Sequence, residues 1–114
     1  MNINEKFIEE ITKGNIHNAK LMMQNEKLDP ACLDNLAIKL AARDGHYELI
    51  KLLLKDERVD PTHLTNIAIK LANKHKFYNI VCLLWNDKRV KNSLENDDKN
   101  LYNKLIAKDN IERF

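Results

Sequence analysis

Glycine, proline, cysteine and tryptophan are all scarce in this sequence, and these scarcities exclude several kinds of site. Two glycines among 114 residues cannot form a Gly-rich phosphate-binding loop. The two cysteines, Cys32 and Cys82, lack the CxxC spacing of zinc sites and disulfide frameworks, which favours a reducing compartment. No apolar run approaches the roughly 18 residues that span a membrane.

The start of the chain and its net charge narrow the class further. The opening MNINEKFIEE is charged at once and has no apolar core of the kind that a signal peptide carries. The formal net charge of +2 is too small to indicate nucleic-acid binding by itself. We therefore expect an intracellular, cytoplasmic protein that does not associate with membranes.

What the sequence does contain is an internal repeat of 31 residues. Segment 29–59 aligns with segment 60–90 without a gap, and fifteen of the 31 aligned pairs are identical. Unrelated sequences of ordinary composition would match at roughly one position in fifteen. A fixed period of this length is typical of stacked repeat proteins, which serve mostly as binding surfaces.

The apolar spacing within each unit predicts two helices. The second unit carries one apolar stripe, formed by Leu36, Ala37, Leu40 and Ala41. The turn signal Asp44-Gly45 follows, then a second apolar helix, and Pro61 forces the chain to extend at the end of the unit. In the third unit Lys76 replaces Gly45. Either Lys76 adopts a positive φ at some cost, or the turn differs.

The first 30 residues fit the same register, whereas the register slips after Val90. The polar, turn-rich stretch KNSLENDDKN (91–100) is expected to be a connector. We predict an all-α protein with one domain over residues 1–114, consisting of units at about 1–28, 29–59 and 60–90 and a capping helix at about 98–112.

Residues 37–61, AIKLAARDGHYELIKLLLKDERVDP, resemble an ankyrin repeat. The matching places are Ala41-Ala42, Gly45-His46, Glu48, Leu49-Ile50, Leu52–Leu54 and Val59-Asp60. The resemblance implies a helix-turn-helix repeat solenoid with short connectors, and a non-enzymatic function in protein–protein interaction. It also implies that His46 is a turn residue, which we expect to hydrogen-bond to the backbone.

The sequence departs from the ankyrin pattern in two respects. The period is 31 residues rather than about 33, so the hairpin between units should be shorter. The usual threonine-proline-leucine-histidine is missing, and Asn35 and Asn66 stand near the helix starts, where we expect each to cap its helix. Divergent repeats like these are similar to those of amoebae and giant viruses. A viral protein of this kind would act in the host cytoplasm.

The sequence predicts no catalytic residue, no metal site and no cofactor. No two of its histidines lie four residues apart on one helix, and none has a cysteine two to four residues away; they are His17, His46, His63 and His75. Nucleophilic catalysis needs a nucleophile beside a base, and the only serine, Ser93, lies in a polar stretch.

Positive charge on the first helices gives the sharper functional hypothesis. Four basic residues occupy equivalent positions in units two and three, so stacking would align Lys39, Arg43, Lys70 and Lys74 in a basic band. The resemblance implies binding through the first-helix surface and the connector tips, which adds Asn73, His63 and Thr65 to the candidates. Residues 62–93 carry six Lys or Arg against Asp87 alone, so we expect a protein partner with an acidic surface. The competing reading is a solvated lysine face.

Trp85 is the last candidate for partner contact, because interface hot spots are enriched in tryptophan. The competing expectation is that Trp85 and Phe77 seal the junction with the capping helix. Two alternative functions stay open: nucleic-acid binding through the basic third unit, against which the low net charge argues, and self-association through an imperfectly capped end. The expected state is a monomer or a weakly self-associating chain.

Overall fold

Residues 1–112 form eight α-helices and no strand in the computed structural model, which describes side chains as far as Asp109. The helices are α1 Ile3–Thr12, α2 Ile16–Met23, α3 Cys32–Asp44, α4 Tyr47–Leu54, α5 His63–Lys74, α6 Tyr78–Trp85, α7 Lys88–Asp97 and α8 Lys99–Glu112. The all-α prediction is confirmed. None of the described helices is long and apolar enough to cross a membrane.

The helices lie in two rows. The first helices of successive units contact one another in the order α1, α3, α5, α7, and the second helices contact in the order α2, α4, α6. The body measures 46 × 23 × 21 Å, so its long axis is about twice either short one. The pairs α1/α2, α3/α4 and α5/α6 therefore pack against one another in chain order.

Small residues on the first helices allow this close packing. Ala37, Ala41, Ala68 and Ala72 are at most 1% exposed, so neighbouring helices approach one another directly at these positions. The second helices supply larger side chains that fill the remaining space, namely Leu49, Ile50, Leu53, Ile80, Val81 and Leu84. Burial of these apolar surfaces supplies most of the stabilisation.

Asn35 and Asn66 do not cap helices, so that prediction is wrong. Neither α3 nor α5 has a side-chain cap, and the backbone is left-handed at Leu33–Asn35 and again at Leu64–Asn66, with φ between 52° and 63°. The side chain of Asn35 instead accepts a hydrogen bond from the backbone N–H of Asp60, 2.8 Å away in the next unit. Asn4, 31 residues earlier, accepts one from Asp29 N–H at 3.0 Å.

A second set of bonds between units runs from arginine to carbonyl oxygen. Nη1 of Arg58 donates to the carbonyl of Leu28 at 3.0 Å, and Nη1 of Arg89 donates to the carbonyl of Val59 at 2.7 Å. Asp87 holds Arg89 by a 2.9 Å ion pair. Burial acts to raise the pKa of Asp87, but the hydrogen bonds from Arg89 outweigh it and hold this pKa below its ordinary value.

The turns between paired helices bring an aromatic ring against a glycine of the preceding unit. A methyl group added to Gly14 would lie 2.7 Å from the ring of His46, and one added to Gly45 would lie 2.9 Å from the ring of Phe77. His46 therefore packs on its neighbour, and none of the described hydrogen bonds involves its side chain, contrary to expectation. Lys76 adopts a φ of 62° with its side chain exposed. Of the two alternatives for this turn, the one in which Lys76 adopts a positive φ is therefore confirmed.

The predicted connector 91–100 is wrong, because most of it is the helix α7. Asp87 caps this helix by accepting from Arg89 N–H at 2.9 Å. Only Val90 and Leu94 are buried in α7, four residues apart, and α7 packs against α5. A helix that buries so narrow a stripe reads as polar in the sequence.

We expect Arg89→Gln to lower the free energy of unfolding by about 1–3 kcal/mol. The substitution leaves the buried carbonyl of Val59, a residue with no exposed surface, without its charged donor. Urea denaturation followed by circular dichroism measures the loss.

Arg43→Gln is the matched control, since the ion pair that Arg43 makes among the described side chains is with its exposed neighbour Asp44. It should leave the free energy of unfolding close to that of the wild type, because the pair is exposed to solvent. The lowered pKa of Asp87 means that its ion pair stabilises the fold above the ordinary aspartate range and that this stability is lost as pH falls through the lowered pKa. The difference in the free energy of unfolding between the wild type and Arg89→Gln should therefore become smaller below about pH 4. Equal losses in the two variants would contradict the inter-unit role of Arg89.

We expect Gly45→Ala to destabilise the protein by at least about 1–2 kcal/mol, because the left-handed backbone penalises a Cβ. Contact with the Phe77 ring adds to this cost. Thermal and urea unfolding give the magnitude. Adding Phe77→Leu to Gly45→Ala should recover part of the steric cost, and a fully additive double variant would contradict the contact.

Candidate protein-binding surface

Three of the candidate residues line one open groove. Lys70, Asn73 and Lys74 on α5 face the beginning of α8 across a groove of about 410 Å³. The opposite wall is formed by Asp98, Asn100, Leu101 and Lys104. This wall belongs to α8 and the turn before it, which the sequence assigned to the cap alone, so the groove was not foreseen.

The two basic candidates on α3 differ from those on α5. Arg43 is exposed but donates two hydrogen bonds to its neighbour Asp44, at 2.8 and 3.0 Å, so its charge is locally neutralised. The hydrogen bond from Arg43 lowers the pKa of Asp44. Lys39 is half-buried and makes no ion pair among the described side chains. The predicted band therefore carries most of its uncompensated charge on α5.

The connector candidates lie at the start of α5. His63 is its first residue and is half-buried, while Thr65 is exposed in the left-handed turn. The hydroxyl of Thr65 donates to the carbonyl of Leu64 at 2.7 Å, and Lys70 Nζ donates to the hydroxyl oxygen of Thr65 at 3.5 Å. Thr65 therefore links the connector to the basic face of α5.

Two exposed leucines at the connector tips were not among the candidates predicted from the sequence. Leu33 and Leu64 are 59% and 58% exposed and occupy the same place in their left-handed turns. The sequence did contain a signal for this position, since the leucine is identical in the two units. A leucine in a helical repeat reads as core, and only the reversed backbone turns it outward.

Trp85 does not belong to the exposed surface. It is 3% exposed, its indole N–H donates to Asp109 at 2.6 Å, and its ring meets that of Tyr102 edge-on with centroids 5.6 Å apart. Lys91 Nζ lies 5.1 Å from the ring centroid. The proposed partner contact through Trp85 is corrected accordingly, because α7 and α8 cover the ring. Phe77, the other ring in question, packs on Gly45 instead.

A smaller, more apolar pocket continues the groove towards α6. It measures about 140 Å³ and shares Asn73, Leu101 and Lys104 with the larger groove. Its other lining residues are Tyr78, Val81, Cys82, Leu105 and Lys108. The cleft between α5, α6 and α8 is thus lined by both basic and apolar side chains.

The described residues contain no group of three or more His, Cys, Asp or Glu side chains that could hold a metal ion. Cys32 is buried and Cys82 is exposed, and both are free thiols. Burial raises the pKa of the Cys32 thiol. The chemistry that this surface offers is ion pairing, hydrogen bonding and apolar contact.

No family model, no curated protein and no solved structure matches this chain. Its function therefore has to be argued from its own residues and their geometry.

We expect Asp109→Ala to loosen α8. The change leaves the buried indole N–H of Trp85 without its acceptor, which costs about 1–3 kcal/mol. Because Trp85 is the only tryptophan, its fluorescence reports the junction directly, and the emission should shift to longer wavelength as water reaches the ring. Glu95→Ala removes an exposed carboxylate from α7 and serves as the control. An unchanged spectrum in Asp109→Ala would contradict the assignment.

Proposed function

We propose that this chain is a protein-interaction module of the ankyrin type that presents a rigid, partly basic surface to an acidic protein partner and carries out no chemistry of its own. The observation that carries the proposal is the repetition of the bonds between units. Asn4 and Asn35 bind the next unit in the same way, as Arg58 and Arg89 bind the preceding one. Such repetition supports a stacked array of similar units.

Rigidity is what such an array contributes to binding. The inter-unit bonds fix the first helices relative to one another, so that side chains on α3 and α5 keep a constant spacing. A partner that docks on a pre-ordered surface loses less conformational freedom than one that must order a loop. Since the proposed binding involves no catalytic group, the residues on this surface determine which partner binds.

The charge of the surface selects the class of partner. Lys70 and Lys74 make no ion pair among the described side chains, and the facing wall adds Lys104. Complementary charge raises the association rate and disfavours basic partners. An acidic protein surface supplies that complement.

The test is a pull-down from a lysate of the source organism, with bound proteins identified by mass spectrometry. The bait is either the wild type or the variant Lys39→Glu, Arg43→Glu, Lys70→Glu, Lys74→Glu. We expect proteins that the wild type retains and the variant loses. The variant must keep its helical circular dichroism, since only a folded bait is informative.

The matched control reverses four exposed lysines away from these helices, in the variant Lys20→Glu, Lys27→Glu, Lys51→Glu, Lys55→Glu. It carries the same net charge and should retain the same proteins as the wild type. Loss in both variants would indicate a non-specific charge effect. Recovery of nucleic acid rather than protein, with retention falling steeply as salt rises, would favour nucleic-acid binding instead.

A further inference from the structure

The cleft between α5, α6 and α8 combines two kinds of wall. The larger groove of about 410 Å³ and the pocket of about 140 Å³ run into each other at Asn73, Leu101 and Lys104. One end of the cleft is lined mainly by polar and charged side chains and the other by apolar ones. A ligand that fills both must itself be charged and apolar.

The apolar end has room for one large side chain. Val81 and Leu101 are 3% and 7% exposed and form its floor, while Leu105 is half-buried beside them. Tyr78, at 52% exposed, stands at the edge. A dry cavity of about 150 Å³ holds a benzene molecule, so a pocket of about 140 Å³ suits a phenyl ring or a branched aliphatic group.

The charged part of the cleft is positive and uncompensated. Lys70, Lys74 and Lys104 line it, Lys108 lines the adjoining pocket, and none of these four lysines makes an ion pair among the described side chains. The one carboxylate in the lining, Asp98, accepts from Leu101 N–H at 3.1 Å and so caps the first turn of α8. Lys108 lies over the ring of Tyr78, with Nζ 5.5 Å from the centroid.

We propose that this cleft binds a short acidic segment of a protein partner, with one large apolar side chain of the segment in the pocket and the flanking carboxylates on the lysines. The proposal rests on the interaction function proposed above and specifies where and what the module binds. A nucleic acid fits less well, because the pocket walls are aliphatic and Tyr78 is the one aromatic side chain in the lining.

The probe that tests the proposal is a fluorescein-labelled peptide, Asp-Glu-Asp-Phe-Asp-Glu-Asp, with its termini blocked. Fluorescence anisotropy measures its binding to the full chain at physiological salt. We expect saturable binding that weakens about tenfold, equivalent to about 1.4 kcal/mol, when serine replaces the phenylalanine. Equal binding of the two peptides would overturn the proposal, since charge alone would then account for the affinity.

Two protein variants locate the site, each with a control. The variant Lys74→Glu, Lys104→Glu should weaken binding at least about tenfold, whereas Lys20→Glu, Lys55→Glu, with the same net charge, should stay within about twofold. Cys82→Phe fills the pocket from an exposed position and should abolish the preference for the phenylalanine peptide. Asn92→Phe on the exposed side of α7 should leave that preference intact.

A single-stranded oligothymidine provides the competing outcome. The first condition is that the oligothymidine displaces the peptide at a concentration below the Kd of the peptide. The second is that Cys82→Phe does not affect binding of the oligothymidine. If both hold, the cleft is a nucleic-acid surface and the proposal is overturned. Failure of the phenylalanine peptide to bind at all also overturns it. A selective pull-down result would in that case leave the interaction function standing, with its contact at Lys39, Arg43 or the connector tips.

Discussion

Side-chain bonds to the main chain of the neighbouring unit are the constraint on which the rest of this structure depends. Apolar burial supplies most of the stability, but it is non-directional and does not fix how one pair of helices sits on the next. The asparagine bonds at Asn4 and Asn35 and the arginine bonds at Arg58 and Arg89 do so, because each joins a defined side chain to one backbone group of the adjacent unit. The identical pairs at these positions in the repeat are therefore explained by geometry as well as by packing.

The regular series of bonds between units ends at the third unit. Asn66 is fully buried. The residue that corresponds to Asp60, the donor to Asn35, is Lys91 for Asn66. The N–H of Lys91 already donates to the carbonyl of Asp87 within α7. Its amide instead donates to Ser93 and Asp97, and its carbonyl oxygen is left without a partner. In the first unit the buried Glu10, which stands where the other units have alanine, also leaves one oxygen unpaired. Both of the unpaired buried side-chain atoms in the described part of the chain thus lie in the terminal units.

The helices of residues 29–90 could be predicted from the sequence, because helical periodicity and a gapless sequence repeat indicate the same local structure twice. The paired helices and their turns followed from that record, whereas the positive φ at Lys76 was one of two alternatives that the sequence left open. Three features did not follow. The left-handed turns need long-range bonds to hold them, α7 buries only Val90 and Leu94, and Leu64 looks like core until its backbone is reversed. The lysines on α5 were identified, but their facing wall on α8 was not, since no repeat places it.

The loss of register also accounts for the cleft. Helices α4 and α6 pack against each other, and their Leu and Ile side chains belong to the apolar core. Helix α8 packs mainly on α7 and reaches α6 through Trp85, Tyr102 and Asp109, while Lys104 and Lys108 line the gap that is left. Ammonium groups cannot be buried there without partners, because desolvating an unpaired charge costs more than apolar contact returns. The gap therefore stays open, and the lysine ammonium groups beside it remain accessible to external carboxylates.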